Sequence, residues 1–178
     1  MGVDKSMLEY HGSPQREYLY ELLSTICEDV FLACNKERQN SIPSQYKIIP
    51  DEPTNAGPME ALLGAFRKSK ESSFLVIGCD YPFIQIKHLK ELIDERSAEW
   101  DAVCFKNPES GFDEPLIAIY EQSCSPALSE FHKTGNTSLR FFLKEIRTKS
   151  IKPQSPEILQ SVDTKADFES ALVKINQK

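Results

Sequence analysis

The run Phe74-Leu75-Val76-Ile77-Gly78-Cys79-Asp80-Tyr81-Pro82-Phe83 decides the fold. Its first four residues carry no polar side chain, and a strand apolar on both faces belongs inside a parallel sheet covered by helices on each side. Gly78 and Pro82 then bracket Asp80 and turn the chain away. In open α/β sheets a ligand sits outside the carboxyl ends of the strands. Asp80 is therefore placed to offer a hard oxygen ligand to Mg²⁺. An aspartate just after a strand also serves as a turn former or helix cap, and the residues around it leave both roles open.

On either side of this run, helical and strand patterns alternate. Tyr18, Leu19, Leu22, Leu23 and Ile26 recur at helical spacing behind Ser13 as cap and Pro14 in the first turn, predicting a helix over 14–26. Strands are predicted over 30–33 and 46–49, with the polar stretch 35–45 as a loop between them. Met59, Leu62, Leu63 and Phe66 predict a helix over 58–66, again opened by a proline. Beyond the central run come a helix over 87–95, a strand over 102–105, an acidic turn at Asp113-Glu114-Pro115 and a strand over 116–120. Helices over 126–133, 138–146 and 164–175 close the chain. This order predicts a three-layer α/β/α sandwich with a mostly parallel, Rossmann-like sheet, and no shift of composition divides residues 1–178 into two domains.

Composition agrees and narrows the function. With 178 residues, 40% of them hydrophobic, the chain can remove roughly 70% of its unfolded surface from water without staples. A formal charge of -6 is the wrong sign for holding nucleic acid by charge neutralisation. The apolar runs are too short to span a bilayer and no basic, then apolar, leader opens the chain, so a cytoplasmic protein is expected. Cysteines at 27, 34, 79, 104 and 124 form no CxxC pair and have no histidine at ligand spacing, so free thiols are expected.

Two further residues stand where ligands bind. Asp51 follows the strand that ends at Ile49, as Asp80 follows its own strand. Lys5, ahead of Met7 and Leu8, can set a compact positive charge on a phosphate.

The order of these segments resembles the molybdenum cofactor guanylyltransferases. Met1-Gly2-x-Asp4-Lys5, Leu8 and Gly12-x-Pro14 resemble the second half of that family's nucleotide-binding signature, which begins with a strand and a Gly-Gly loop ending in Arg-Met-Gly. Asn35 after its strand, Ile49-Pro50-Asp51 and Gly57-Pro58-Met59 resemble the next blocks. Leu75 to Phe83 resembles the Leu-x-x-x-Cys-Asp-x-Pro-Phe block, the most specific of the matches. Pro115-Leu116-x-Ala118-x-Tyr120 and Gly135-x-x-Ser138-Leu139-Arg140 resemble two blocks on the molybdopterin side. Val162-Asp163-Thr164 with Asp167-Phe168 resembles the closing Asn-Thr-Pro-Glu-Asp-Leu.

The resemblance implies a fold of the nucleotide-diphospho-sugar transferase type and transfer of GMP from Mg-GTP to molybdopterin, with release of pyrophosphate. It assigns Lys5, Asn35, Asp51, Gly57 and Asp80 to GTP, with Lys5 and Asp80 catalytic and Asp80 holding the metal. Arg140 is assigned to anionic molybdopterin, and proteins of molybdenum cofactor biosynthesis are the implied partners. The chain departs from the family at Glu60-Ala61, Ser161 and Asp163, the last bringing a negative charge where the family uses asparagine. The sequence starts after the position of the upstream strand and Gly-Gly loop, so the sheet is expected to lack its first strand and the triphosphate its cradle of backbone amides, unless the protein begins roughly 20 residues earlier. A transferase using CTP or a sugar phosphate, and a noncatalytic binding module, remain open as alternatives.

Overall fold

Alternate side chains of two adjacent strands feed two separate apolar clusters, and these clusters make the three layers. The structure, a computed structural model, describes residues 4–50 and 57–177. Its elements are α1 (Gln15–Ser24), β1 (Leu32–Cys34), α2 (Lys36–Gln39), β2 (Ile48–Pro50), α3 (Pro58–Lys68), β3 (Phe74–Ile77) and α4 (Ile86–Asp94). They continue as β4 (Ala102–Lys106), β5 (Asp113–Tyr120), α5 (Ser125–Lys133), α6 (Leu139–Glu145), β6 (Thr148–Ile151) and α7 (Lys165–Asn176).

Ala102 and Cys104 of β4, with Ala118 and Tyr120 of β5, face α3, α5 and α6 through Met59, Leu62, Leu128, Leu139 and Phe142. Val103 and Phe105, with Ile117 and Ile119, face the other way, onto Leu89 and Leu92 of α4 and onto Ile158 and Leu159. The period of two along each strand thus supplies both interlayer cores. Each fully buried leucine here is worth about 1.5–3 kcal/mol of transfer free energy. A third cluster of Tyr10, Phe83, Val162 and Ala171 ties the N-terminal segment and α7 to the turn after β3.

The layers are those expected, and the strand directions add detail. β3, β5, β4 and β6 form one sheet in that order, with β5 antiparallel to β3 and β4 and β6 parallel to β4. The neighbour of β3 is therefore antiparallel, and all four of its residues are only half-buried. The acidic triplet is no turn. Asp113 and Glu114 lie in β5, opposite Lys106 and Phe105, and a register shift absorbs Pro115. β6 and the short α2, inside the stretch expected to be loop, are additional elements, and Pro14 rather than Ser13 stands at the cap position of α1.

β1 and β2 pair in parallel as a separate ribbon. Among the described residues β1 and β3 each have one strand partner, and between their other edges lies a cleft of about 1220 Å³ lined by every residue of both strands. Leu19 and Leu23 of α1, Ile26 just beyond it, and Leu62 and Ala65 of α3 also line it. Arg38, just beyond β1, pairs with Asp4 at 3.2 Å, and neighbouring Lys5 acts electrostatically on Asp80, just beyond β3. Both strands consequently end at the same mouth of the cleft and run in the same direction.

Candidate functional site

The mouth of the cleft is organised by the turn that follows β3. The Gly78 amide continues the ladder by donating to the Leu116 carbonyl at 2.8 Å. A side chain at Gly78 has no room, because a Cβ there would stand 2.5 Å from Asp80 Oδ1 and 3.1 Å from the Tyr81 ring. The Asp80 carboxylate is thus folded back against Gly78. Three consecutive carbonyls of the turn are then fixed by donors from two distant pieces of chain, the N-terminal segment and the stretch around Val162. Val162 N–H donates to Asp80 O at 2.9 Å, Gln15 Nε2 to Tyr81 O at 3.4 Å and His11 Nε2 to Pro82 O at 2.9 Å. His11 is itself stacked on Tyr18 with ring centroids 3.8 Å apart. His11 and Gln15 were not legible as site residues, since their partners lie 71 and 66 positions away.

Burial pushes the Asp80 carboxyl above its usual range, and the Asp163 charge adds to this, while its own backbone amide and Lys5 oppose it. Lys5 stands on a single 3₁₀ turn capped by Asp4, whose carboxylate accepts from Ser6 N at 3.1 Å. Its ammonium is ion-paired with Asp163. Asp163 lies below the ordinary carboxylate range because Lys5 and then Ser161 donate to it. The segment carrying Asp163 is held in turn by Asp167, which takes the Asp163 and Thr164 amides at 3.2 and 2.8 Å. A hollow of about 400 Å³, with Asn107, Asp167 and Lys174 in its lining, adjoins this segment.

The structure brings Lys5, Asn35 and Asp80 together on the cleft lining. Asn35 also has a structural task, its side-chain oxygen capping α2 by accepting from Arg38 N at 3.0 Å. Gly57 is at the N-terminal cap of α3 with φ 55°, a left-handed conformation that favours glycine, and is not part of that lining. Asp51 lies outside the described residues. Arg140 also lies outside the cleft lining. Its guanidinium covers the Phe112 ring at 5.2 Å and acts electrostatically on Tyr81, which follows Asp80, and on Glu114 of β5, a buried hydrogen-bonded pair.

No group of three or more histidine, cysteine, aspartate or glutamate side chains converges as a metal cage among the described residues. Mg²⁺ does not require one: it takes one or two carboxylates and completes its shell with phosphate oxygens and water. Asp80, desolvated and coupled to Asp163, fits that donor set.

Residues 1–151 match the MobA-like NTP transferase domain. The chain belongs to that family. Among MobA-like relatives, the "Molybdenum cofactor biosynthesis bifunctional protein" of Synechocystis is 28% identical over 172 residues, covering 94% of this chain and 49% of that protein. This chain therefore spans about half the length of that relative. The "Probable molybdenum cofactor guanylyltransferase" of Natranaerobius thermophilus is 29% identical over 184 residues, covering 96% of this chain and 88% of that one. The crystal structure of molybdopterin-guanine dinucleotide biosynthesis protein A from Archaeoglobus fulgidus superposes with a TM-score of 0.82 at 20% identity, over 99% of this chain and 93% of that one. The cytidylyltransferase for 2-C-methyl-D-erythritol 4-phosphate from Thermus thermophilus follows the same fold, with a TM-score of 0.70 at 12% identity over 97% and 93% of the two chains. The expected nucleotidyltransferase fold is thus met. Among the described residues no helix is long and apolar enough to cross a membrane.

Proposed function

We propose that this MobA-like chain transfers GMP from GTP to the terminal phosphate of molybdopterin and releases pyrophosphate. The observation that carries the reading is the clamped Asp80 turn at the mouth of the cleft, facing Lys5 and Asp163, in a chain whose MobA-like relatives bear that activity in their names. The nucleophile is a phosphate oxygen already ionised at neutral pH, so no general base is needed. It attacks the α-phosphorus of GTP, forming the new P–O bond as the bond to the β-phosphate oxygen breaks. The work left to the protein is alignment and charge neutralisation.

Asp80 is the residue to hold Mg²⁺, with Asp163 next to it. When bound, the ion supplies Lewis-acid charge neutralisation and orientation of the phosphates. Lys5, released from Asp163, neutralises the β- and γ-phosphates and the departing pyrophosphate. Asn35, Asp51 and Gly57 are assigned to the nucleoside, where a carboxylate can accept from the N1–H and N2–H edge of guanine or from sugar hydroxyls. Arg140 is assigned to molybdopterin, beyond the Tyr81–Glu114 pair. Residues 1–178 act as a single domain in the cytoplasm, beside other proteins of molybdenum cofactor biosynthesis. A strand laid between β1 and β3, leading into a glycine-rich loop at the mouth, would complete the sheet and bring backbone amides to the triphosphate.

Calorimetric titration of GTP and CTP in the presence of Mg²⁺ tests the reading. GTP binding well above that of CTP is the expected result. A CTP preference points instead to cytidylyl transfer, and no nucleotide binding points to a noncatalytic module.

A further inference from the structure

We infer that Arg16 is an anion-binding residue of the cleft, and that the anion it receives is the phosphate chain of the nucleotide. This rests on the proposed function for the identity of the ligand, while the cationic site stands on the geometry of Arg16 alone.

Arg16 sits in the first turn of α1, where its side chain is buried and yet forms part of the cleft lining beside Asp4, Lys5, Asn35 and Asp80. Only 6% of its surface is exposed. A guanidinium cannot lose its proton, so burial leaves it charged and in need of acceptors for five N–H groups. The structure supplies few. Nη2 donates to the Ser41 carbonyl at 2.7 Å and Nη1 reaches the Ser41 hydroxyl at 3.4 Å. Nε has no hydrogen-bond partner, and the carboxylate nearest to it, on the adjacent Glu17, stands at 4.0 Å. Both of its hydrogen-bond acceptors are neutral, and its one ion pair, with Glu17, is long.

At the mouth of the cleft the same lining includes Cys79, the residue before Asp80. Two other cations near that mouth are already engaged, Lys5 with Asp163 and Arg38 with Asp4. Arg16 is the buried cation of this group, its planar fork keeps an Nε–H without a hydrogen-bond partner, and such a fork matches the oxygens of a phosphate. A phosphate oxygen brings both the missing acceptor and the missing negative charge.

The test uses the full chain and three probes: inorganic tripolyphosphate, GTP and guanosine. Arg16→Gln keeps a polar side chain of similar reach and removes the charge, while Arg16→Lys keeps the charge and removes the fork. Arg16→Gln is expected to weaken tripolyphosphate and GTP alike by about tenfold or more, the scale of a lost charge-assisted hydrogen bond, and to leave guanosine unchanged. Arg16→Lys is expected to fall between. The inference is overturned by unchanged tripolyphosphate affinity in Arg16→Gln, by an equal loss for guanosine, or by a wild-type chain that binds no tripolyphosphate. A wild-type chain that loses tripolyphosphate through Arg16→Gln but prefers CTP to GTP would sink the proposed guanylyl transfer and leave this site standing.

Discussion

The Lys5 ammonium is paired with the Asp163 carboxylate across 158 positions of sequence, joining the two ends of the chain at the cleft mouth. A cation suited to phosphate is thus occupied by an internal anion until a ligand or a metal ion competes for one member of the pair.

Asp163→Asn removes that competitor. Without divalent cations, the variant is expected to bind tripolyphosphate about two- to fivefold more tightly, the range an exposed ion pair is worth. With Mg²⁺ present the advantage should vanish, since Asp163 is then the second carboxylate at the ion. Weaker metal-free binding in the variant would show that Asp163 does not restrain Lys5.

Asp80→Asn keeps the shape of the turn and removes its charge. Its Mg²⁺-dependent release of pyrophosphate from GTP should fall by roughly 100-fold or more, as on loss of one electrostatic stabiliser in an active site. Because burial already opposes the ionised form of Asp80, the thermal midpoint should hold or rise. Near-normal turnover would remove Asp80 from the metal role.

Gly78→Ala tests the geometry of the same turn without touching a functional group. The added methyl would meet Asp80 Oδ1 at 2.5 Å, so the carboxylate must swing away. A cost of about 1–3 kcal/mol in unfolding free energy is expected from the overpacking. Pyrophosphate release should fall with it, measured at a temperature where the variant remains folded. Full activity would mean that the folded-back carboxylate is not the working conformation.

Away from the site, Asp101 accepts from Arg147 Nε at 2.9 Å, from Arg147 Nη2 at 2.8 Å and from Ser123 Oγ at 2.7 Å. The Arg147 bond is the main reason its carboxyl lies far below the ordinary range. A carboxyl depressed in the folded state stabilises fully above its unfolded pKa of about 3.9 and loses that contribution as the pH falls further. The difference in thermal midpoint between wild type and Asp101→Asn should therefore be constant from pH 7 to about 5 and shrink below about 4. A gap that stays constant into acid would assign the effect to packing.

The reach of the sequence differed from element to element for physical reasons. The strand at 74–77 and the Asp80 turn were legible because an apolar run and turn chemistry are local, whereas the half-burial of the strand and its antiparallel neighbour depend on distant pairing. α3 and α4 were legible by helical spacing. β6 was not, because Thr148, Lys149 and Ser150 are half-buried polar residues whose strand state comes from pairing with β4. Glu114 read as turn because an acidic residue beside a proline is ordinarily exposed, whereas here Tyr81 and Arg140 compensate its burial. The capping task of Asn35 lay within local reach, but the carbonyl clamps from His11, Gln15 and Val162 depend on contacts between distant segments. Arg16 was missed for a related cause: a charged residue in a first helical turn reads as solvated until the fold encloses it.

The cleft between β1 and β3 has a consequence for handling the protein. Two strand edges running the same way and facing each other across apolar walls form a template that any extended, β-prone segment can enter. A strand of a second copy is one such segment, so loss of monomer on concentration, followed by light scattering, is the expected sign that these edges accept a strand.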